Sequence, residues 1–267
     1  MLTKLSARFV LPALAALALS VVTSAAWATH SWGGYHWART ANAFTLKLGN
    51  NVSSTWTSAL NTASSDWSAS NVLDTTVVSG LANPRNCRPT AGRVEVCNST
   101  YGNNGWLGIA SISITGGTHI TQGTVKLNDT YFNTAPYNTS AWRALVTCQE
   151  IGHTFGLDHQ DTNFSNINLG TCMDYTNDPS TNQHPNDHDY EELVIIYNHL
   201  DSSTTVSQSI ANNFQADIDT DDSRNWGQLV KTSHGGRTAI YERDFGGGRK
   251  QVTFVIWALE TNGRPQK

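Results

Sequence analysis

Apolar side chains recur along this chain with two different periods, and the changes between them divide it into strands and helices. Ala43-Phe44-Thr45-Leu46-Lys47-Leu48 alternates, which predicts a strand stopping at Gly49-Asn50. Between Ser54 and Ser68, residues Trp56, Leu60, Ala63 and Trp67 return every three or four positions, the stripe of an amphipathic helix. Further strands are expected at Val72 to Val78, near Trp106 to Ile114 and at Val125 to Leu127. A second helix opens at Thr139-Ser140, good N-cap residues, runs through Trp142, Leu145 and Val146 and ends at Gly156. A third, from about His188 to Leu200, starts near Pro185 and Asn186-Asp187 and places Leu193, Ile196 and Tyr197 on one side. Residues 201 to about 224 are rich in Ser, Thr, Asn and Asp and read as linker. Beyond them, Thr238 to Tyr241 and Val252 to Trp257 flank Gly246-Gly247-Gly248 as a hairpin. A strand, a helix and several strands before the second helix predict an α+β protein with a mixed sheet.

Residues 1–28 stand outside this pattern. Lys4 and Arg8 precede an apolar run from Phe9 to Val22, and Ala26-Trp27-Ala28 is a small-x-small cleavage site, so the segment reads as a signal peptide. The run is too short to span a bilayer, and no second one follows. The expected product is exported. Its roughly 240 residues suffice for one core plus a small appendix. Without Lys4 and Arg8, fifteen basic residues face twenty-one acidic ones, a formal charge of −6. That balance, with no basic runs, makes a poor binder of nucleic acid or anionic membranes, and neither is expected as a partner. Four cysteines in an exported chain favour two disulfides. Of the three pairings, Cys87 with Cys97 closes a local loop, and Cys148 with Cys172 ties the second helix to a later Cys-Met segment.

The chemistry concentrates in Gln149-Glu150-Ile151-Gly152-His153-Thr154-Phe155-Gly156-Leu157-Asp158-His159. This is the zinc-protease pattern HExxHxxGxxH with Gln149 in place of the first histidine. On a helix, residues 149 and 153 lie one turn apart on one face, so both reach one metal, with Glu150 beside them. Gly156 lets the chain turn so that His159 returns as a third ligand. About fifteen residues on comes Gly170-Thr171-Cys172-Met173-Asp174-Tyr175.

Together these two segments resemble the metzincin clan of zinc endopeptidases, among them secreted matrixin-like proteases, and the Met-x-Tyr turn is also similar to that of astacins and serralysins. The likeness is strong over residues 148–175 and one of layout over 35–200. It implies a metzincin-like twisted mixed sheet and an active-site helix; with the C-terminal helix and β-rich tail read from the pattern, the expected organisation is a catalytic domain over 29–200 and, outside the likeness, a linker with a hairpin appendix over 201–267. It implies one catalytic Zn2+ on Gln149, His153 and His159, Met173 beneath it, Glu150 as general base to a metal-activated water, and Tyr175 as oxyanion donor. The expected activity is that of a monomeric, secreted endopeptidase acting on extracellular protein or peptide substrates.

Gln149 leaves three outcomes open. It binds zinc through its side-chain oxygen; His184 or His188 substitutes for it; or the site is inert and the protein is a metzincin-fold binder of peptides or of a surface polymer. Asp158 and Asp161, flanking the last ligand, read as solvated loop carboxylates rather than as groups orienting a histidine. Asp217-Ile218-Asp219-Thr220-Asp221-Asp222 resembles the start of a Ca2+ loop but has Asp at the sixth position and Gln228 at the twelfth, so a solvated acidic loop is expected. His30, His36, His119, His199 and His234 show no ligand spacing and read as ordinary side chains.

Overall fold

Hydrogen bonding between segments far apart in sequence decides the architecture. The computed structural model describes residues 29–208 and 220–259. The leader at 1–28, with Asp217, Ile218 and Asp219 of the acidic stretch, lies outside the described residues. The strands are β1 (His36–Trp37), β2 (Phe44–Asn51), β3 (Leu73–Ser79), β4 (Val94–Ser99), β5 (Trp106–Thr115), β6 (His119–Asn128), β7 (Gln228–Thr232), β8 (Thr238–Gly246) and β9 (Arg249–Trp257). Among the described residues they form one sheet in the order β3-β2-β4-β6-β5-β9-β8-β7, with β1 also paired to β6. Strands β3, β2, β4 and β6 run parallel, and β5 and β9 are antiparallel additions. The helices are α1 (Ser54–Trp67), α2 (Asp129–Phe132), α3 (Ser140–His153) and α4 (Asp187–Ile196). The α+β class and the mixed sheet agree with the sequence pattern. None of the described helices is long and apolar enough to cross a membrane.

Two apolar clusters occupy opposite faces of the sheet. On one face α1 and α3 pack together, and Trp56, Leu60, Ala63 and Trp67, the stripe expected of α1, are all buried there. On the other face, Trp106 and Ile109 of β5 meet Val255 and Trp257 of β9 and Trp226. Alternation along a strand produces this division, since Phe254 and Val255 of β9 belong to different clusters.

Several boundaries move, each for a visible reason. β2 continues through Gly49-Asn50 to Asn51 because neighbours on both sides pair with it, Asn50 with Ser79 and Asn51 with Cys97. α3 starts as expected, Thr139 capping Trp142 N, but stops at His153 rather than Gly156. The next carbonyls are claimed from elsewhere: Trp37 Nε1 donates to Thr154 O at 2.9 Å and the Tyr197 hydroxyl to Phe155 O at 2.9 Å. α4 begins with a capping box from Asn186 and Asp189 and ends at Ile196, four residues early. Beyond it Arg39 Nη2 takes the carbonyl oxygens of Tyr197 and His199. The tail hairpin forms as β8 and β9, and β9 pairs with β5 along Trp106–Ile114, so it extends the main sheet.

Cys87 bonds Cys97, and Cys148 bonds Cys172. The second bridge fastens α3 to the segment carrying Met173. Replacing both Cys148 and Cys172 by serine is expected to cost about 3 kcal/mol and to lower the thermal midpoint by roughly 6–12 °C. A calorimetric midpoint unchanged from the parent would contradict this.

Candidate metal and catalytic site

Local structure brings the motif together in the expected way. Gln149, Glu150 and His153 lie on the last turns of α3. Gly156 then adopts φ +97°, and a Cβ there would sit 2.0 Å from the Tyr35 carbonyl oxygen. Only glycine allows this turn, which returns His159 to the helix. The His153 and His159 Nε2 atoms approach to 3.1 Å. Met173 lies under the helix because residue 152 is glycine: a Cβ would stand 2.6 Å from its Sδ.

The protonation states suit metal ligands. Burial holds the His153 imidazole well below its ordinary range, and neighbouring His159 adds to the shift. His153 Nδ1 faces the Leu157 carbonyl at 2.9 Å, so the ring donates there and leaves Nε2 with its lone pair. Burial likewise lowers His159, whose backbone N–H donates to Asp158 Oδ1 at 2.8 Å. Asp158 is therefore not the solvated carboxylate expected. It is buried, and Lys231 Nζ of β7 reaches its Oδ2 at 2.5 Å. Burial alone would raise its carboxyl, but bonds to His159 and Lys231 outweigh that and hold it well below the usual range.

Gln149 is fixed by the Met segment: its Nε2 donates to Cys172 O at 2.8 Å and to Asp174 O at 3.5 Å. Its Oε1 is buried and has no hydrogen-bond partner, and the same holds for Glu150 Oε2. Burial pushes the Glu150 carboxyl well above the usual range, offset in part by the Ala110 backbone of β5. Tyr175 stacks on Phe164 and lies 4.1 Å from the His159 ring between centroids. Burial raises its phenol, and Thr238 of β8 partly offsets the shift. The alternative ligands are engaged elsewhere: His184 Nδ1 pairs with Asp66 at 2.7 Å, and His188 stacks on His30.

A divalent ion fits this donor set. Zinc bonds of about 2.0–2.1 Å in a tetrahedron place adjacent donors about 3.3 Å apart, close to the 3.1 Å between the two imidazoles. The two oxygens without hydrogen-bond partners sit on neighbouring residues of the same helix. A calcium loop has no such support. Asp221 pairs with Lys126 and Arg85, and Asp222 with Arg224, as in an acidic loop closed on basic side chains.

Sequence reasoning missed what covers the site. Phe254 of β9 lies flat on His153, with ring centroids 4.3 Å apart and planes at 5°. Together with Lys231, it seals the cluster: Gln149, Glu150 and His153 are each only 1% exposed. The apolar run Val252 to Trp257 marked the strand, but nothing in it marked the partner.

No protein-family model and no curated protein matches the chain. Among solved structures, it is similar to high choriolytic enzyme 1, a hatching-enzyme zinc-protease from the medaka fish Oryzias latipes, with 10% identity over 61% of this chain and 94% of that one at a TM-score of 0.34. It is also similar to myroilysin, with 14% identity over 61% and 86% at a TM-score of 0.32. Likeness at this level carries no functional argument.

Proposed function

We propose that the chain is an exported zinc-dependent endopeptidase cleaving extracellular proteins or peptides, with Gln149, His153 and His159 holding the metal. The observation that carries this is the pair of buried imidazole nitrogens 3.1 Å apart, on a helix whose Gln149 and Glu150 each keep a buried oxygen without a hydrogen-bond partner. Bound there, zinc supplies a Lewis acid and brings the pKa of a water near neutrality. Glu150, whose carboxyl burial makes a stronger base, would in its ionised form take a proton from the attacking water at Oε2 and return it to the leaving amine. Tyr175, neutral at all physiological pH, donates its hydroxyl to the developing oxyanion. His153 is held in the metal-binding tautomer by Leu157 O, and Asp158 anchors the turn that presents His159. Because β9 covers these groups, substrate enters only when the hairpin leaves β5.

Metal content tests the reading. Untagged protein, purified without chelator, is expected to lose one zinc per chain on His153→Gln. Gln149→His is expected to tighten that zinc about tenfold or more, since imidazole is the stronger donor. Zinc content indifferent to His153→Gln would end the proposal, and weaker retention in Gln149→His would mean that residue 149 does not face the metal. One observation favours a second reading, a silent protein binding peptides or a surface polymer: the site is covered. The two readings part on Glu150, which hydrolysis needs and peptide binding does not.

A further inference from the structure

Four side chains that carry no spacing signal converge at another place in the fold. β1 pairs with β6 in the register His36 opposite His119, which sets the two imidazoles side by side at 5.1 Å between centroids. The chain leaving α4 brings His199 and Asp201 against them. Asp201 Oδ1 lies 3.2 Å from His119 Nε2, 3.5 Å from His36 Nε2 and 3.8 Å from His199 Nε2. His199 Nε2 is 3.2 Å from His36 Nε2.

Each neighbour favours a ligand role. Arg39 takes Asp201 Oδ2, through its backbone N–H and Nη1 at 3.1 Å each, and leaves Oδ1 to the imidazoles. His36 Nδ1 faces the Gly34 carbonyl at 2.8 Å, which assigns its proton to Nδ1 and the lone pair to Nε2. The ligand atoms of His36, His119 and Asp201 all lie within 4.8 Å of one another, and His199 Nε2 adjoins His36 and Asp201, against a roughly 3.3 Å donor edge for tetrahedral zinc with bonds of about 2.0–2.1 Å. Three imidazoles with one carboxylate are a borderline-soft set that suits zinc rather than calcium or magnesium. His119 and His199 are 31% and 45% exposed, so an ion reaches the cluster from solvent.

We infer that His36, His119, His199 and Asp201 form a second, structural zinc site that clamps the start of the domain to β6 and to the exit of α4. An ion held by ligands from three separate segments ties those segments together, so the role is stability. The inference is independent of the α3 site.

Zinc counting in untagged full-length mature protein tests it, with His119→Ala/His199→Ala as the variant. Both positions are partly exposed, so the fold is expected to survive, and equal thermal midpoints of parent and variant in chelator will check this. The variant is expected to hold one zinc fewer per chain than the parent, and its midpoint should no longer rise when zinc is returned at that site. A fall from two zincs to one fits two sites, and a fall from one to none fits this site alone. Equal zinc content in parent and variant, or an equal rise in midpoint on adding zinc, overturns the inference. If the variant proves less stable in chelator, Asp201→Asn in an otherwise intact chain gives the same reading.

Discussion

Peptide hydrolysis by Glu150→Ala is expected to fall about 10²–10⁴-fold, the usual contribution of a positioned general base. The variant separates catalysis from folding cleanly. Alanine is the best helix former, so α3 is not weakened, and the change removes a buried carboxylate oxygen that has no hydrogen-bond partner. Zinc content should stay at the parental level, because the imidazoles and the Gln149 oxygen are untouched. Glu150→Gln adds a second control. It keeps the side-chain volume and an acceptor for the Ala110 backbone but cannot take a proton, so it should be as inactive as alanine. Hydrolysis within tenfold of the parent in either variant would refute the mechanism. Unchanged peptide affinity in both, in a parent without hydrolysis, would establish the silent reading instead.

The features legible in the sequence are those set by local chemistry. The stripe of Trp56, Leu60, Ala63 and Trp67, the Thr139 cap and the Asn186 cap each depend on neighbours within one or two turns, and each forms. The α3 motif is legible for the same reason, its three candidate ligand positions being spaced by helix geometry and one glycine turn. Helix ends are less so, because Trp37 and Arg39 claim carbonyls from more than a hundred residues away and Tyr197 claims one from 42 residues away. The histidine cluster is the extreme case. Positions 36, 119, 199 and 201 have no common period, and only the parallel register of β1 on β6 and the exit path of α4 bring them together. The pairing of β9 with β5 was hidden in the same way: a strand pattern identifies a strand but not its neighbour.

Locking β9 to β5 is expected to abolish hydrolysis reversibly. Ile109 and Val255 are directly opposed in the antiparallel register, and both face the cluster on the far side of the sheet from α3. Opposed residues of this kind have Cα atoms about 4.5–5.5 Å apart, within reach of a disulfide, so Ile109→Cys/Val255→Cys should cross-link without touching the metal site. Phe254 then stays on His153, and no peptide carbonyl approaches it. Reduction of the new bridge should restore parental activity, with mass spectrometry confirming that Cys87–Cys97 and Cys148–Cys172 stay closed. The opposite change is Val255→Pro, which removes a ladder hydrogen bond from an interior strand and weakens the docking of β9. If the parent works only in the fraction of molecules whose hairpin has left, its rate scales with that fraction, and Val255→Pro should raise hydrolysis tenfold or more at unchanged zinc content. The uncovered edge of β5 would offer an extended peptide the same backbone pairing that β9 now makes, running past His153 as Phe254 does. Full activity in the oxidised cross-linked protein would show that substrate reaches the metal by a route that leaves β9 in place, and the hairpin would then be a fixed wall of the site rather than its cover.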